Sequence, residues 1–353
     1  MVQHSPQMAD AVMSLLRPEG RGLEVAPYFD PFLLKDGNYE VYYTDYISTE
    51  EIRAKAANNP GGKSAEVPAI DFVWTPGKAL VDCAPAGLTF DYAVASHVME
   101  HVPNPIGWLN DILAALNTGG RLALFLPDRR RNMDFLRSLT TFGELVGLWI
   151  TQPAIPTPHQ VLDFMTLALD ATKCSGDWDN LTPDTATTFY SDSDALSFAT
   201  SAALSGTYVD IHATVWEPEH CVKVLERVVR AGLLNVAISA PVESELEFAL
   251  VLTKLGEPAR NPPPLPEACR DPVAIQNSNQ VLEGSLEETV SQQVAGLVHR
   301  QEVALHDIKF AIQQSHEMAL KLEEVAQAVQ RLEKQASTLN LWRSWRASRT
   351  RRD

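Results

Sequence analysis

The first 255 residues predict an α/β fold, a mostly parallel sheet with helices on both faces. Three observations carry this. Short apolar runs rich in β-branched and aromatic residues alternate with helix-like stretches. A long mixed segment, 128–213, then interrupts the rhythm. After it come one helix and two strands joined by a short turn, which suits a sheet ending in an antiparallel hairpin.

The elements follow in order. Strands are expected at Gly22–Ala26, Val41–Asp45, Ala69–Trp74, Tyr92–Ser96 and Arg121–Leu126. A helix is expected at Thr49–Asn58, capped by Ser48 or Thr49, with Glu50 and Glu51 in its favourable first turn. A second helix, Pro105–Leu116, is expected to stop at Asn117-Thr118-Gly119-Gly120. The insertion shows helical patches at Asn132–Leu139 and His159–Leu169, and a polar stretch at Asp177–Ser193. A long ordered insertion after a strand end is a natural cap over a ligand site. A helix at Pro218–Ala231 and strands at Asn235–Ala240 and Leu246–Leu255 complete the sheet.

Beyond residue 255 the chain changes character. The segment 256–280 is proline-rich, with Pro262, Pro263, Pro264 and Pro266, and reads as a stiff linker. In 281–341, Val298, Leu305, Ile312 and Ala319 form one near-heptad row, and Ile308, Leu322 and Val329 another. Such rows predict a helical coiled coil and a homo-oligomer. The tail 342–353 is basic, with five arginines after Trp342, and could touch an anionic membrane face.

The net charge of −16 disfavours general nucleic-acid binding. No stretch is long and apolar enough to span a membrane, and Met1–Gly22 lacks the pattern of a secretory signal, so the expected compartment is the cytoplasm. The four cysteines stand far apart without a CxxC pair, which fits a reducing compartment.

Ligands of parallel sheets bind at the carboxyl ends of strands. The first strand ends in Leu23-Glu24-Val25-Ala26-Pro27-Tyr28, the second in Asp45, and the third contains Asp71. The fourth runs into Ser96-His97-Val98-Met99-Glu100-His101, and the fifth ends in Pro127-Asp128. An acidic residue ending the second strand can accept both hydrogen bonds of a ribose diol. Glu24 can meet a ligand ammonium, directly or through water.

These stretches resemble the class I S-adenosylmethionine-dependent methyltransferases, in particular a bacterial branch that opens with LEIGP. The matching runs are LEVAPYFDPFLLKD (23–36), VYYTDYISTEEIRAKA (41–56), DFVW (71–74), FDYAVASHVMEHVPNPIGWLNDI (90–112), GGRLALFLPDRR (119–130) and DIHATVWEP (210–218). The resemblance covers about 20–255 and implies a Rossmann-like methyltransferase sheet with helices on both faces, an inserted cap, and S-adenosyl-L-methionine as cofactor. By that resemblance Glu24, Ala26 and Pro27 border the methionine part, Asp45 binds the ribose, Asp71 and Phe72 flank the adenine, and Ser96 and His97 line the wall beneath the methyl group. The family turns its first strand on glycine. Here Ala26 takes that place and Tyr28 the second glycine position, which costs about 1 kcal/mol if φ is positive.

His97, Asp128 and His212 are the candidate general bases, with His159 another, because a neutral imidazole or a carboxylate can take a proton during methyl transfer. His97 and His101 stand four apart, a spacing that can bind zinc, but the HExxH order is absent and no metal is expected. Arg129, Arg130 and Arg131 suit either an anionic substrate or a solvated turn. The acceptor is expected to be a small molecule or a glycan, methylated on oxygen or nitrogen. A catalytically inactive scaffold is the rival. A nicotinamide-dependent dehydrogenase would need GxGxxG after the first strand, which is missing.

Overall fold

The structure is a computed structural model that describes residues 4–58, 63–170, 178, 181–182, 186–258 and 260–264. The chain divides into two compact units, Met1–Leu265 and Pro266–Asp353. The coiled coil expected at 281–341, the basic tail 342–353 and most of the linker 256–280 lie outside the described residues.

The first unit holds one sheet of β1 (Arg21–Val25), β2 (Glu40–Asp45), β3 (Phe72–Val73), β4 (Phe90–Ser96), β5 (Leu116–Pro127), β6 (Val236–Ile238), β7 (Val242–Glu243) and β8 (Glu247–Lys254). The spatial order is β3-β2-β1-β4-β5-β8-β6, with β7 also pairing β8. The first five strands are parallel, and β8 runs antiparallel to β5, β6 and β7. Val25 pairs with Thr44 and Ala95, and Ser96 with Phe125, so the carboxyl ends of β1, β2, β4 and β5 come out along one edge.

Alternation along each strand sends side chains to opposite faces. Leu23, Val25, Ala93, Ala95, Leu122, Leu124, Leu250 and Leu252 build one core. It is covered by α3 (Leu80–Cys83), α4 (Pro105–Ala115), α5 (Phe142–Thr151) and α8 (Pro218–Arg230). On the other side Tyr43, Tyr92, Val94, Ala123, Phe125, Ala249 and Val251 meet Met8, Val12 and Leu16 of α1 (Pro6–Leu16). This first helix has no counterpart in the sequence reading. Ser5 caps it by accepting from the Met8 amide at 3.2 Å, Pro6 sets its first turn, and three buried residues at four-residue spacing give it one apolar stripe. The helix α2 (Thr49–Asn58) stands as expected, with Ser48 and Glu51 bonded to each other at its start.

Three expectations need correction. The edge strand read as Ala69–Trp74 shrinks to β3, because the Asp71 carboxylate accepts the Tyr43 amide at 2.6 Å and takes the place of a ladder partner. No helix forms over Asn132–Leu139. Asp128 accepts the Arg130 amide and Asn132 the Asp134 amide, so the chain folds into a single 3-10 turn at Arg129–Arg131 and a string of turns. The helix α4 ends at Ala115, and the Asn117–Gly120 stretch read as its stop lies inside β5, with Gly119 at φ 84°.

Within 128–213, α5 and α6 (Pro158–Leu167) each start on a capping box, Thr141 with Glu144 and Thr157 with Gln160. The helix α7 (Asp192–Ser205) is capped by Ser191 and ends at Gly206 in the left-handed region. Only α5 joins the main core. Helices α6 and α7 pack on each other in a small separate core of Val161, Phe164, Met165, Ala195, Ala199 and Ile211. Among the described residues no helix is long and apolar enough to cross a membrane. The start of the proline-rich segment docks on this unit, with the Arg260 amide on the Gly232 carbonyl at 3.0 Å and Gln152 Nε2 on the Pro263 carbonyl at 2.9 Å.

Candidate active site

The turn after β1 keeps a glycine-like path without glycine. Ala26 has φ 53° and Tyr28 φ 49°, both left-handed. The Ala26 amide donates to the Thr44 carbonyl at 2.7 Å, tying the turn to β2. Glu24 is 1% exposed, and its carboxylate accepts the Phe32 and Leu33 amides at 2.7 and 2.8 Å. Burial pushes that carboxyl up to about 8, against the pull of those two bonds. Tyr43 donates its hydroxyl to the Leu33 carbonyl, which closes the same loop from below. Glu24 therefore holds the loop that follows Pro27, with both oxygens engaged.

Asp45 ends β2 and is buried. One of its oxygens accepts the Tyr46 amide at 2.7 Å, and burial pushes its carboxyl up to about 6 despite the amides of Tyr46 and Ile47. Asp71 lies further back along the strand, bonded to the Tyr43 amide and to Lys35 Nζ at 2.5 Å. Phe72 is packed in the main core with Leu23, Val25 and Trp74. Neither joins Asp45 through a direct side-chain bond.

The end of β4 is the most heavily networked part. His97 is held at φ 54° and donates its amide to the Phe125 carbonyl at 3.0 Å. Its Nε2 lies 2.7 Å from Glu247 Oε2, and its Nδ1 lies 3.3 Å from Glu100 Oε1. Burial pulls the imidazole pKa down, but the two carboxylates outweigh it and hold it up at about 9. His97 thus keeps its proton at neutral pH. His4, just before α1, reaches over with Nδ1 2.8 Å from Glu247 Oε1 and Nε2 3.0 Å from Ser96 Oγ, its ring stacked on Phe125.

Of the other base candidates, Asp128 serves its own turn, with Arg130 Nε at 2.9 and 3.0 Å from its two oxygens. His212 is buried with Nδ1 2.5 Å from Asp134 Oδ2. Asp134 is also held by Arg137 Nη1 at 2.7 Å, and Arg137 Nε reaches Asp163 at 2.8 Å. His212 and Arg137 overcome the burial of Asp134 and keep it ionised. His159 is exposed and stands apart. Arg129 pairs with Glu217, and Arg130 with Asp128 and Glu243. The fold thus gathers His97 and His212 around Glu100, links Ser96 to His97 only through His4 and Glu247, and leaves Asp128 and His159 outside that group. Sequence reading missed His4, Glu247, Asp134 and Asp210 as members. They come from distant stretches, and only Asp210, inside the 210–218 run, carried any signal.

A family model described as a methyltransferase domain matches residues 3–165. No curated protein matches the chain. Among solved structures, the PH0226 protein of Pyrococcus horikoshii OT3 is 16% identical, covering 70% of this chain and 87% of its own, with a TM-score of 0.34. The glycopeptide N-methyltransferase MtfA, in complex with sinefungin, is 12% identical over 70% of this chain and 85% of its own, with a TM-score of 0.33. The CurJ carbon methyltransferase is 13% identical over 70% of this chain and 54% of its own, with a TM-score of 0.34. The weight rests on the domain match, which spans β1 to β5 and every strand end just described. That match marks residues 3–165 as a methyltransferase domain.

Proposed function

We propose that this chain binds S-adenosylmethionine along the carboxyl edge of β1, β2 and β4 and moves its methyl group to an oxygen or nitrogen of an acceptor. The observation that carries the reading is the turn after β1. Ala26 and Tyr28 hold positive φ there, the backbone path for which the family uses glycine, directly beside the buried Asp45. Asp45 would accept the ribose hydroxyls, and the backbone of Ala26 and Pro27 would run along the methionine end. Ser96 and His97 would form the wall on the acceptor side. Asp71 and Phe72 are engaged elsewhere, so Val73, exposed and paired in register with Asp45, is the β3 residue left for the adenine side. When bound, the cofactor supplies a methyl group on a positively charged sulfur that is already activated, so positioning accounts for much of the rate.

The acceptor side is polar and acidic, with the His97 imidazolium bonded to Glu247 and standing 3.3 Å from Glu100. A sugar of a surface glycan is the first acceptor to try. The helices α6 and α7 would cap the acceptor. Because His97 keeps its proton, it would orient or stabilise rather than abstract, and the acceptor's proton would leave to solvent.

Calorimetric titration of the full chain with S-adenosylhomocysteine tests the reading. Saturable binding that Asp45→Ala weakens supports it. The specific observation behind the rival is that side chains occupy both turn positions where the family has glycine. Absence of binding by a folded chain would establish the inactive scaffold.

A further inference from the structure

Glu100 is completely buried, and neither of its carboxylate oxygens has a hydrogen-bond partner. Seven buried side-chain polar atoms lack such a partner among the described residues. Two of the seven are Glu100 Oε1 and Glu100 Oε2. A buried acceptor left unmade costs about 1–3 kcal/mol, and more for a charged group, so a native site gathers such atoms only where something answers them. The nearest protein cation is His97, whose Nδ1 stands 3.3 Å from Glu100 Oε1 without forming an aligned bond. His97 is already committed to Glu247.

One donor atom each from Glu100, His101 and His212 lies within 4.8 Å of the others. The rings of His101 and His212 meet edge to face, 4.8 Å between centroids. Both histidines carry the carboxylate neighbour that metal-bound imidazoles use. Asp134 bonds His212 Nδ1 at 2.5 Å, which leaves its Nε2 free to coordinate, and Asp210 lies 3.0 Å from His101 Nδ1. Those carboxylates are themselves anchored, Asp134 by Arg137 and Asp210 by Lys55 at 2.7 Å. Two imidazoles and one carboxylate are the donor set of a first-row divalent ion such as Zn²⁺, and three protein donors leave one position open. Metal bonds of about 2 Å bring donors about 3.3 Å apart, so closing the shell takes side-chain shifts of about 1 Å.

We propose that Glu100, His101 and His212 form a divalent-metal site of the zinc class, built where the turn after β4 meets the segment between α7 and α8. The motif that suggested zinc in the sequence, His97 with His101, uses only its second histidine. His97 supports Glu100 from outside the shell, and His212 arrives from the end of the inserted segment.

The test is a titration of the untagged, chelator-stripped full chain with ZnSO₄, read by calorimetry and by competition with a chromophoric chelator. One equivalent should bind at micromolar affinity or tighter. His101→Asn and His212→Asn should each weaken it at least 100-fold, Asp134→Asn by 10- to 100-fold, and His159→Asn, on the surface, should change nothing. Co²⁺ in place of Zn²⁺ should give a visible spectrum that His101→Asn abolishes. His101 is only partly buried, so this variant should keep the wild-type melting profile even if Glu100→Gln does not fold. A wild-type chain that takes up no Zn²⁺ overturns the proposal. So does uptake that persists at unchanged affinity in folded His101→Asn. Neither readout depends on methyl transfer, so failure here leaves the cofactor reading standing.

Discussion

Replacing Ala26 by glycine puts a number on the turn after β1. An L-residue held in the left-handed region costs about 1–2 kcal/mol, and glycine removes that strain. Glycine in turn enlarges the unfolded ensemble, costing about 0.4–1 kcal/mol. The Ala26 methyl is partly buried against the main core, and losing it costs a fraction of the roughly 0.8 kcal/mol of a buried methylene. The three nearly cancel and leave a gain of a few tenths of a kcal/mol. For a unit of this size that moves Tm by about 1 °C upward. The same substitution at Ala93, fully buried in extended β4, has no strain to release and should lower Tm by about 3–5 °C. Differential scanning calorimetry of both variants, with titration of S-adenosylhomocysteine, is the assay. The affinity of Ala26→Gly should equal or exceed that of wild type. A Tm loss for Ala26→Gly as large as that for Ala93→Gly would refute the positive-φ turn, and a marked loss of affinity would refute its place beside the cofactor.

Asp45→Ala should weaken S-adenosylhomocysteine binding by about 1–3 kcal/mol, roughly 5- to 150-fold, in a chain whose melting is unchanged. Since burial raises the Asp45 carboxyl to about 6, wild-type affinity should hold above that pH and fall as pH drops through it. Asp45→Asn should be flat over the same range in calorimetry. Arg137→Ala strands Asp134 and Asp163 in or beside the interior and should destabilise by about 3–5 kcal/mol, seen as faster proteolysis within 133–170. Light scattering should find the full chain dimeric or larger and a chain ending at Leu265 monomeric. Monomers in both cases would rule out self-association through 281–341.

Where one local pattern decided an element, the sequence was legible. The strands β1, β2, β4 and β8 and the helices α2 and α8 fall within two residues of their expected bounds, because apolar alternation and caps set them. The helix α1 carries its own local signals, Ser5-Pro6 followed by Met8, Val12 and Leu16, but they are short and stand before the first strand, outside the strand–helix alternation. The false helix at 132–139 shows the opposite failure, since its apolar spacing lost to the local bonds of Asp128 and Asn132. In the site, Asp45 and Ala26 stand at strand ends as read, but the partners of each histidine do not follow from spacing. Nothing local to Glu247 announces that it will bridge His4 and His97. Nor does anything beside Asp134 announce His212. Such pairs exist only once the sheet order is known.

The position of β8 has a consequence for synthesis. It is the last strand of this unit to leave the ribosome, yet it lies between β5 and β6, pairing on both sides. Until residue 254 emerges, β5 presents an open edge whose residues Leu122–Leu126 are apolar without interruption. A nascent chain halted between β5 and β8 therefore carries a bare template for sheet addition. The unit can close only after translation of nearly all of it, so slow decoding of 218–254 would lengthen the exposure and the demand for chaperones. A premature stop before Glu247 would yield aggregates rather than a smaller enzyme.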